Sequence, residues 1–512
     1  MIFSLLKILV KVKWGKTVFS DVDVNTDEEL MLFKAQLFAL TGVQPERQKV
    51  MLKGITLKDE NWTSLPFRDG IAVLMMGSKE EDVPTEPAVK PIFIEDMNES
   101  ELSTALDLPP GLRNVGNTCY LNATVQCLRT VPELTEALKR YNNGQESTPF
   151  NSASPYNPAE SITNALKYLC ESMDAGESRA PVVLIQELHK AFPRFAEKTG
   201  TGFWQQQDAN ECWTELIRML QQKLPAKENP IAPNDTASYK PRSIIEQYFG
   251  GTFDTELKCD ESDEEPPTCR KEEFLQLSCF ITTECKHMTA GLKNKMVEKI
   301  TKLSPTLGKD AQYTKTSKIS RLPAYLTVQF VRFCYKEKEA INAKILKDVK
   351  FTLSFDAFEL CSKELQNKLT PMRERFRKME EAQLQEVQLK GKKKMKDEKK
   401  KETKKEPFSF PEDLGSNNSG YYELQAVLTH QGRTSSSGHY VAWVRQNEDA
   451  WLKCDDENIS VVTSEDVLKL SGGGDWHCAY VLLYGPRVLE LPLTTEETPM
   501  ITEEVVSETI RD

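Results

Sequence analysis

Residues 111–126 read Gly-Leu-Arg-Asn-Val-Gly-Asn-Thr-Cys-Tyr-Leu-Asn-Ala-Thr-Val-Gln, and this stretch decides how the rest of the chain is read. Two glycines and two asparagines lead into Cys119, and a helix-compatible run follows it through Leu128. Cys119 is therefore expected in the first turn of a helix. There the helix dipole and the free N–H groups favour thiolate over thiol, and the thiolate is the attacking form of cysteine. Asn114, on the same loop, carries a side-chain amide able to donate to a developing oxyanion. Taken alone, Cys119 reads more simply as one buried thiol among twelve cysteines.

A cysteine nucleophile needs a base, and the chain has five histidines: His189, His287, His430, His439 and His477. His439 lies in Gly438-His-Tyr-Val-Ala-Trp-Val, a strand entered from a Gly/Ser-rich loop, which suits a base at a cleft edge. His430, in the preceding strand, is the runner-up. His189 sits in an apolar helix and reads as structural, while His287 and His477 have no supporting pattern. The next strand, Trp451-Leu-Lys-Cys-Asp-Asp-Glu-Asn, places Asp455 across the hairpin from His439. A carboxylate there would hold the imidazole in its productive tautomer and steady the imidazolium. Asp456 is the alternative acceptor. In Trp204-Gln-Gln-Gln-Asp-Ala-Asn-Glu, Asp208 opens a helix and reads first as an N-cap, second as an acidic wall of a substrate channel.

Composition bounds the rest. At 512 residues the chain is long for one domain, and 39% hydrophobic residues supply sizeable cores. The net charge of −11 argues against general nucleic-acid binding. No CxxC pair occurs, so the usual zinc-ribbon spacing is missing and no metal or cofactor is expected. Cys259, Cys269, Cys279 and Cys285 form a loose cluster that reads as buried free thiols of a reduced, cytosolic protein. Lysines 7, 11 and 13 interrupt the N-terminal apolar run, which reads as a strand rather than a signal peptide. No run of about 18 apolar residues predicts a membrane span.

Residues 1–77 read as a small α+β unit: strands at 8–12 and 17–19, a helix at 28–41, and strands at 50–52 and 71–75. Residues 78–105 have linker composition. Residues 106–486 form the second domain, helical to about residue 225 and strand-rich beyond 244. Within it, 364–406 is a charged insert, expected to be helical first and disordered later. Residues 487–512 read as an acidic tail, loose from Glu490 to Asp512.

Four blocks in order then resemble the ubiquitin-specific protease family: Gly111 to Gln126, Gln206 to Glu211, Tyr422 to Asp456, and Ala479-Tyr-Val-Leu-Leu-Tyr-Gly-Pro. Residues 1–77, especially Thr41-Gly-Val-Gln-Pro-Glu-Arg-Gln-Lys-Val, resemble a ubiquitin-like domain. That domain runs on into Gly77-Ser78-Lys79 without a terminal Gly-Gly, so it is expected to dock rather than be conjugated. The pairing resembles proteasome-associated members of the family, a match that Arg321-Leu-Pro-Ala-Tyr-Leu and Ser471-Gly-Gly-Gly-Asp-Trp-His support.

The resemblance implies an α+β chain: a ubiquitin-like β-grasp domain, then a papain-like protease domain with helical thumb, mixed palm and β-sheet fingers. It implies a cysteine-type deubiquitinase that trims ubiquitin from polyubiquitinated proteins in the cytoplasm, and also in the nucleus, with the 26S proteasome regulatory particle as the partner of the β-grasp domain. Cys119 would attack the carbonyl of the C-terminal glycine of ubiquitin. His439 would carry the proton, Asp455 would orient it, and Asn114 would help hold the oxyanion. Gln207 and Asp208 would contact the ubiquitin tail. Loops at 333–342 and 431–437 would block the tail groove until the proteasome binds. Cys454 departs from the family's usual aromatic residue before the aspartate. A catalytically inactive ubiquitin receptor and a protease for another ubiquitin-like modifier are the competing readings.

Overall fold

Strict alternation builds the first sheet. Strand β1 (Ile8–Trp14) buries Val10 and Val12 and turns Leu9, Lys11 and Lys13 outward. It pairs with β2 (Thr17–Val24) and, in parallel, with β5 (Ala72–Met76). Between them come α1 (Leu30–Thr41), β3 (Lys49–Leu52) and β4 (Ile55–Thr56). Helix α1 stops at Gly42, whose φ of 74° lets its N–H reach back to the Phe38 carbonyl. Lys53 and Gly54 both have positive φ, the two-residue geometry that closes a tight hairpin. The sheet order is β2-β1-β5-β3-β4, and α1 buries Leu30, Phe33 and Leu37. This is a ubiquitin-like β-grasp.

The computed structural model describes residues 8–60, 62–79, 108–142, 156–177, 179–229, 239–336, 341–390, 403–434, 437–447, 449–474 and 476–492. The chain divides into two compact units between residues 98 and 99. The expected linker at 78–105 lies mostly outside the described residues.

The second unit begins with helices α2 (Cys119–Leu128), α3 (Pro132–Arg140), α4 (Pro158–Asp174), α5 (Val182–Ala191), α6 (Ala209–Lys223) and α7 (Ile244–Phe249). Every residue of α2 is buried. Its polar side chains therefore need internal partners. Thr124 donates to the Tyr120 carbonyl at 2.7 Å and Asn122 to the Leu112 carbonyl at 3.1 Å.

Then come β6 (Gly251–Cys259), β7 (Thr268–Phe274), β8 (Leu277–Phe280), α8 (Met288–Lys295), β9 (Val297–Leu303) and β10 (Asp310–Arg321). Strands β7-β6-β10-β9 form one four-stranded sheet. Next are β11 (Leu326–Val331), a hairpin of β12 (Phe333–Lys336) and β13 (Ile341–Lys344), β14 (Ser354–Asp356), α9 (Lys363–Lys390) and β15 (Thr403–Lys405). Strands β16 (Tyr421–Thr434), β17 (Ser437–Arg445), β18 (Ala450–Asp455), β19 (Asn458–Thr463), helix α10 (Ser464–Leu468), β20 (Cys478–Pro486) and β21 (Glu490–Pro492) complete the unit. The main sheet runs β19-β18-β17-β16-β20-β11-β8, with β14 on β16. Its two faces feed two cores. Tyr440, Ala442 and Cys454 join the helices on one face, and Val441, Trp443 and Trp451 join α8 and α9 on the other.

Three expectations need correction. The charged insert is not wholly solvated: α9 buries Leu365 and Leu369 in the second core and Phe376 against Tyr421. Residues 391–402, expected to be disordered, lie outside the described residues. The tail does not loosen at Glu490, because β21 (Glu490–Pro492) pairs with β15. A strand end carrying unpaired backbone groups gains a ladder there. The cysteines of the loose cluster are buried at 259, 279 and 285, but Cys269 is exposed.

Leu37 has no exposed surface. Leu37→Ala should cost the first unit about 3 kcal/mol. Hydrogen exchange by mass spectrometry should show faster exchange in residues 8–79 and unchanged protection of the buried helix Cys119–Leu128.

Candidate active site

The loop before α2 is tied down by its own asparagines. Asn114 Oδ1 accepts from the backbone N–H groups of Gly116 (2.9 Å) and Thr118 (3.2 Å). Asn117, at φ 54°, donates to the Trp204 carbonyl at 2.8 Å. The bend delivers Cys119 as the first residue of α2, 2% exposed. A helix's first turn leaves N–H groups without intrahelical acceptors.

His439 enters on β17 directly after Gly438, whose φ is 123°. A Cβ at Gly438 would come within 2.0 Å of the Gln431 carbonyl oxygen, so the entry tolerates only glycine. His439 Nε2 lies 2.6 Å from Asp455 Oδ1, and the Cys119 side chain is the second group that acts on the same ring. With Nε2 on the carboxylate, Nδ1 is left for the sulfur. The bond to Asp455, then the Cys119 side chain, raises His439 to about 10 against the opposing effect of burial. Asp455 is held well below the usual carboxylate range by His439 and Lys453. The contact is diagonal rather than directly opposite, because Cys454 pairs with Ala442 and Asp455 therefore falls short of His439 along the ladder.

Asp456 does something else. At φ 54° it turns its carboxylate the other way. Oδ1 accepts from Asn122 at 2.8 Å and Oδ2 from Asn114 at 2.9 Å, while its carbonyl accepts from the Leu112 N–H at 2.9 Å. Gly111 is needed there, since a Cβ would meet the Glu457 carbonyl oxygen at 2.4 Å. Ligand atoms of His439, Asp455 and Asp456 lie within 4.8 Å of one another, as a metal site would require, but all three groups are already engaged.

The other histidines go elsewhere. His430 is fully buried, meets the Ser437 carbonyl and the Tyr440 ring, and is pushed down to about 3 by burial and then by Lys344. His189 packs on Trp204. His477 had no sequence signal, yet its ring lies 6.3 Å from that of His439. Asp208 is the N-cap of α6, accepting from the N–H groups of Asn210 (2.7 Å) and Glu211 (3.3 Å). The Tyr480 hydroxyl sits 2.8 Å from both its oxygens. Gln207 is half-buried beside it. Cys454 fills its place in the core, and burial pushes its thiol up to about 12.

A family model described as "Ubiquitin carboxyl-terminal hydrolase" matches residues 110–484. The chain belongs to the ubiquitin carboxyl-terminal hydrolase family. It is 38% identical to ubiquitin carboxyl-terminal hydrolase 7 of Arabidopsis thaliana, over 94% of this chain and all of that one. It is 39% identical to ubiquitin carboxyl-terminal hydrolase 14 of Caenorhabditis elegans, over 97% and 96%. It is 35% identical to ubiquitin carboxyl-terminal hydrolase 6 of Schizosaccharomyces pombe, over 94% and 99%. The hydrolase is thus a deubiquitinating cysteine peptidase with a β-grasp unit ahead of it.

Residues that the sequence reading passed over are Tyr480, His477 and Lys453. Tyrosine in an apolar strand and lysine in a polar one give no local signal, and only the sheet register brings them to the site.

His439 is raised above its ordinary 6.5, so its bonds stabilise the fold fully below about 6.5 and lose that effect as pH rises through about 10. A third of the side chain is exposed, so solvent screens part of this gain. Thermal melts of the hydrolase and of His439→Gln should differ most below pH 6.5 and converge near pH 10. Asp456→Ala takes one of the two acceptors from the buried Asn122 amide, which should cost about 1–3 kcal/mol in chemical denaturation.

Proposed function

We propose that Cys119 is the nucleophile of this hydrolase and that it cleaves the bond after the C-terminal glycine of ubiquitin. The observation carrying this is a single imidazole, His439, that bonds Asp455 at 2.6 Å and interacts with Cys119. The thiolate adds to the glycine carbonyl carbon, and the oxyanion gathers N–H donors at the start of α2. Asn114 Nδ2 spends one hydrogen on Asp456 and has another to offer the oxyanion. His439 gives its proton to the leaving amine, and a thioester remains. His439 then takes a proton from water, which attacks the thioester and frees the ubiquitin carboxylate. Asp455 keeps the ring turned for both steps. Asp208 and Gln207 line the path of the ubiquitin tail, whose basic residues suit a carboxylate.

In this reading the β-grasp unit docks the enzyme on the proteasome regulatory particle, in the cytoplasm and nucleus. Support comes from the unit's exposed sheet face, where Leu74 and Met76 stand out beside Lys11, Lys13 and Lys49. No helix of the described residues is long and apolar enough to cross a membrane. The hairpin β12–β13 holds the free enzyme back. Phe333 packs edge-on against Tyr480 (5.2 Å) and His430 (5.4 Å), and Lys344 bonds the His430 carbonyl. Residues 435 and 436 of the second expected blocking loop lie outside the described residues.

The test uses a fluorogenic ubiquitin conjugate with the full chain, alone and with proteasomes. Cys119→Ala should lower turnover at least a thousandfold, and proteasomes should raise wild-type turnover more than tenfold. Residual turnover by Cys119→Ala would remove the nucleophile assignment, and an unstimulated wild type would remove the docking assignment.

A further inference from the structure

The Asp455 carboxylate is shared between two cations. Oδ1 holds His439 Nε2 at 2.6 Å, and Oδ2 holds Lys453 Nζ at 2.8 Å. Lys453 and Asp455 are two residues apart on β18, so both point to the same face of the sheet. Lys453 pairs with Trp443 across the ladder, and its ammonium lies 5.9 Å from that ring. The Trp443 ring is itself fixed, donating to Thr429 Oγ1 at 3.0 Å. Packing therefore guides the lysine stem while Asp455 fixes its head.

We propose that Lys453 is a positioning residue for the hydrolase reaction and acts through Asp455 on His439. The proposal rests on the roles given above to Cys119, His439 and Asp455. A carboxylate held at one oxygen alone can swing about its χ2, since that torsion is broad. The second bond stops the swing and keeps Oδ1 aimed at Nε2. The ammonium also opposes the imidazolium through space, so it limits how tightly His439 keeps its proton.

The groups facing this carboxylate and ring are Lys453 and Asp456 on the β18 side, Cys119 on α2, and His477 ahead of β20. His477 is pushed down to about 4, by burial first and by Lys453 and His439 after it. At neutral pH it is uncharged, so the cations acting on Asp455 are Lys453 and His439 itself.

Steady-state hydrolysis of a fluorogenic ubiquitin conjugate by the full chain, from pH 5 to 10.5, tests this. Lys453→Met keeps the stem and removes the charge. It should lower kcat several-fold, leave KM within twofold, and move the alkaline limb of kcat/KM up by about half a pH unit. Lys453→Arg should restore both. Melting temperature should barely change, since the pair is partly exposed and such pairs add little stability. A superimposable pH profile for Lys453→Met, or a loss of turnover that arginine does not rescue, overturns the proposal. Asp455→Asn is the control that separates the two readings. Wild-type turnover in that variant would topple the assignment of Asp455 itself, and Lys453 with it.

Discussion

The catalytic unit depends on one turn. Asp456 joins the chain's two halves by bonding Asn114, Asn122 and the Leu112 backbone, partners 334 to 344 residues away in sequence. Closing so long a loop costs conformational entropy that rises slowly with length, so a few well-made bonds in a buried place can hold it. Asn122 is 2% exposed and Leu112 is fully buried, so these bonds have little competition from water. The helix that carries the sulfur is thereby fixed to the strand that carries the acceptor.

Two adjacent aspartates divide the work because the backbone turns between them. Asp455 ends β18 in extended geometry and faces His439. Asp456 is left-handed and faces the nucleophile loop. One carboxylate thus governs a proton and its neighbour governs a distance. The His439 ring is raised well above its ordinary value, chiefly by its bond to Asp455.

The same register closes the site. Tyr440 and Tyr480 are buried on the helix-facing side of the sheet, and Asp208 and Phe333 meet Tyr480 there. Phe333, which opens the β12–β13 hairpin, thus packs on the same tyrosine that bonds Asp208. The hairpin's root is firm: the buried Arg332 guanidinium donates to the carbonyls of Ala479, Ile345, Lys347 and Ser471.

Much of this was legible in the residues themselves. The helix from Cys119 to Leu128 follows from a glycine–asparagine loop giving way to an unbroken helix-compatible run. The β-grasp follows from alternation in Ile8–Trp14 and a glycine stop at position 42. His439 could be chosen among five histidines because it opens a strand beside a Gly/Ser-rich loop, which suits a base at a cleft edge. What the residues could not say is which aspartate faces which partner, since Asp455 and Asp456 differ only in backbone twist. They could not say that the charged α9 segment buries Leu365, Leu369 and Phe376, because its overall polarity hides a one-sided apolar stripe. Nor could they bring Lys453, His477 and Tyr480 to the site. Local sequence sets residue chemistry and element type through propensity and period. Pairing register and chain-distant hydrogen bonds, which depend on where other strands lie, decide which of those chemistries meet.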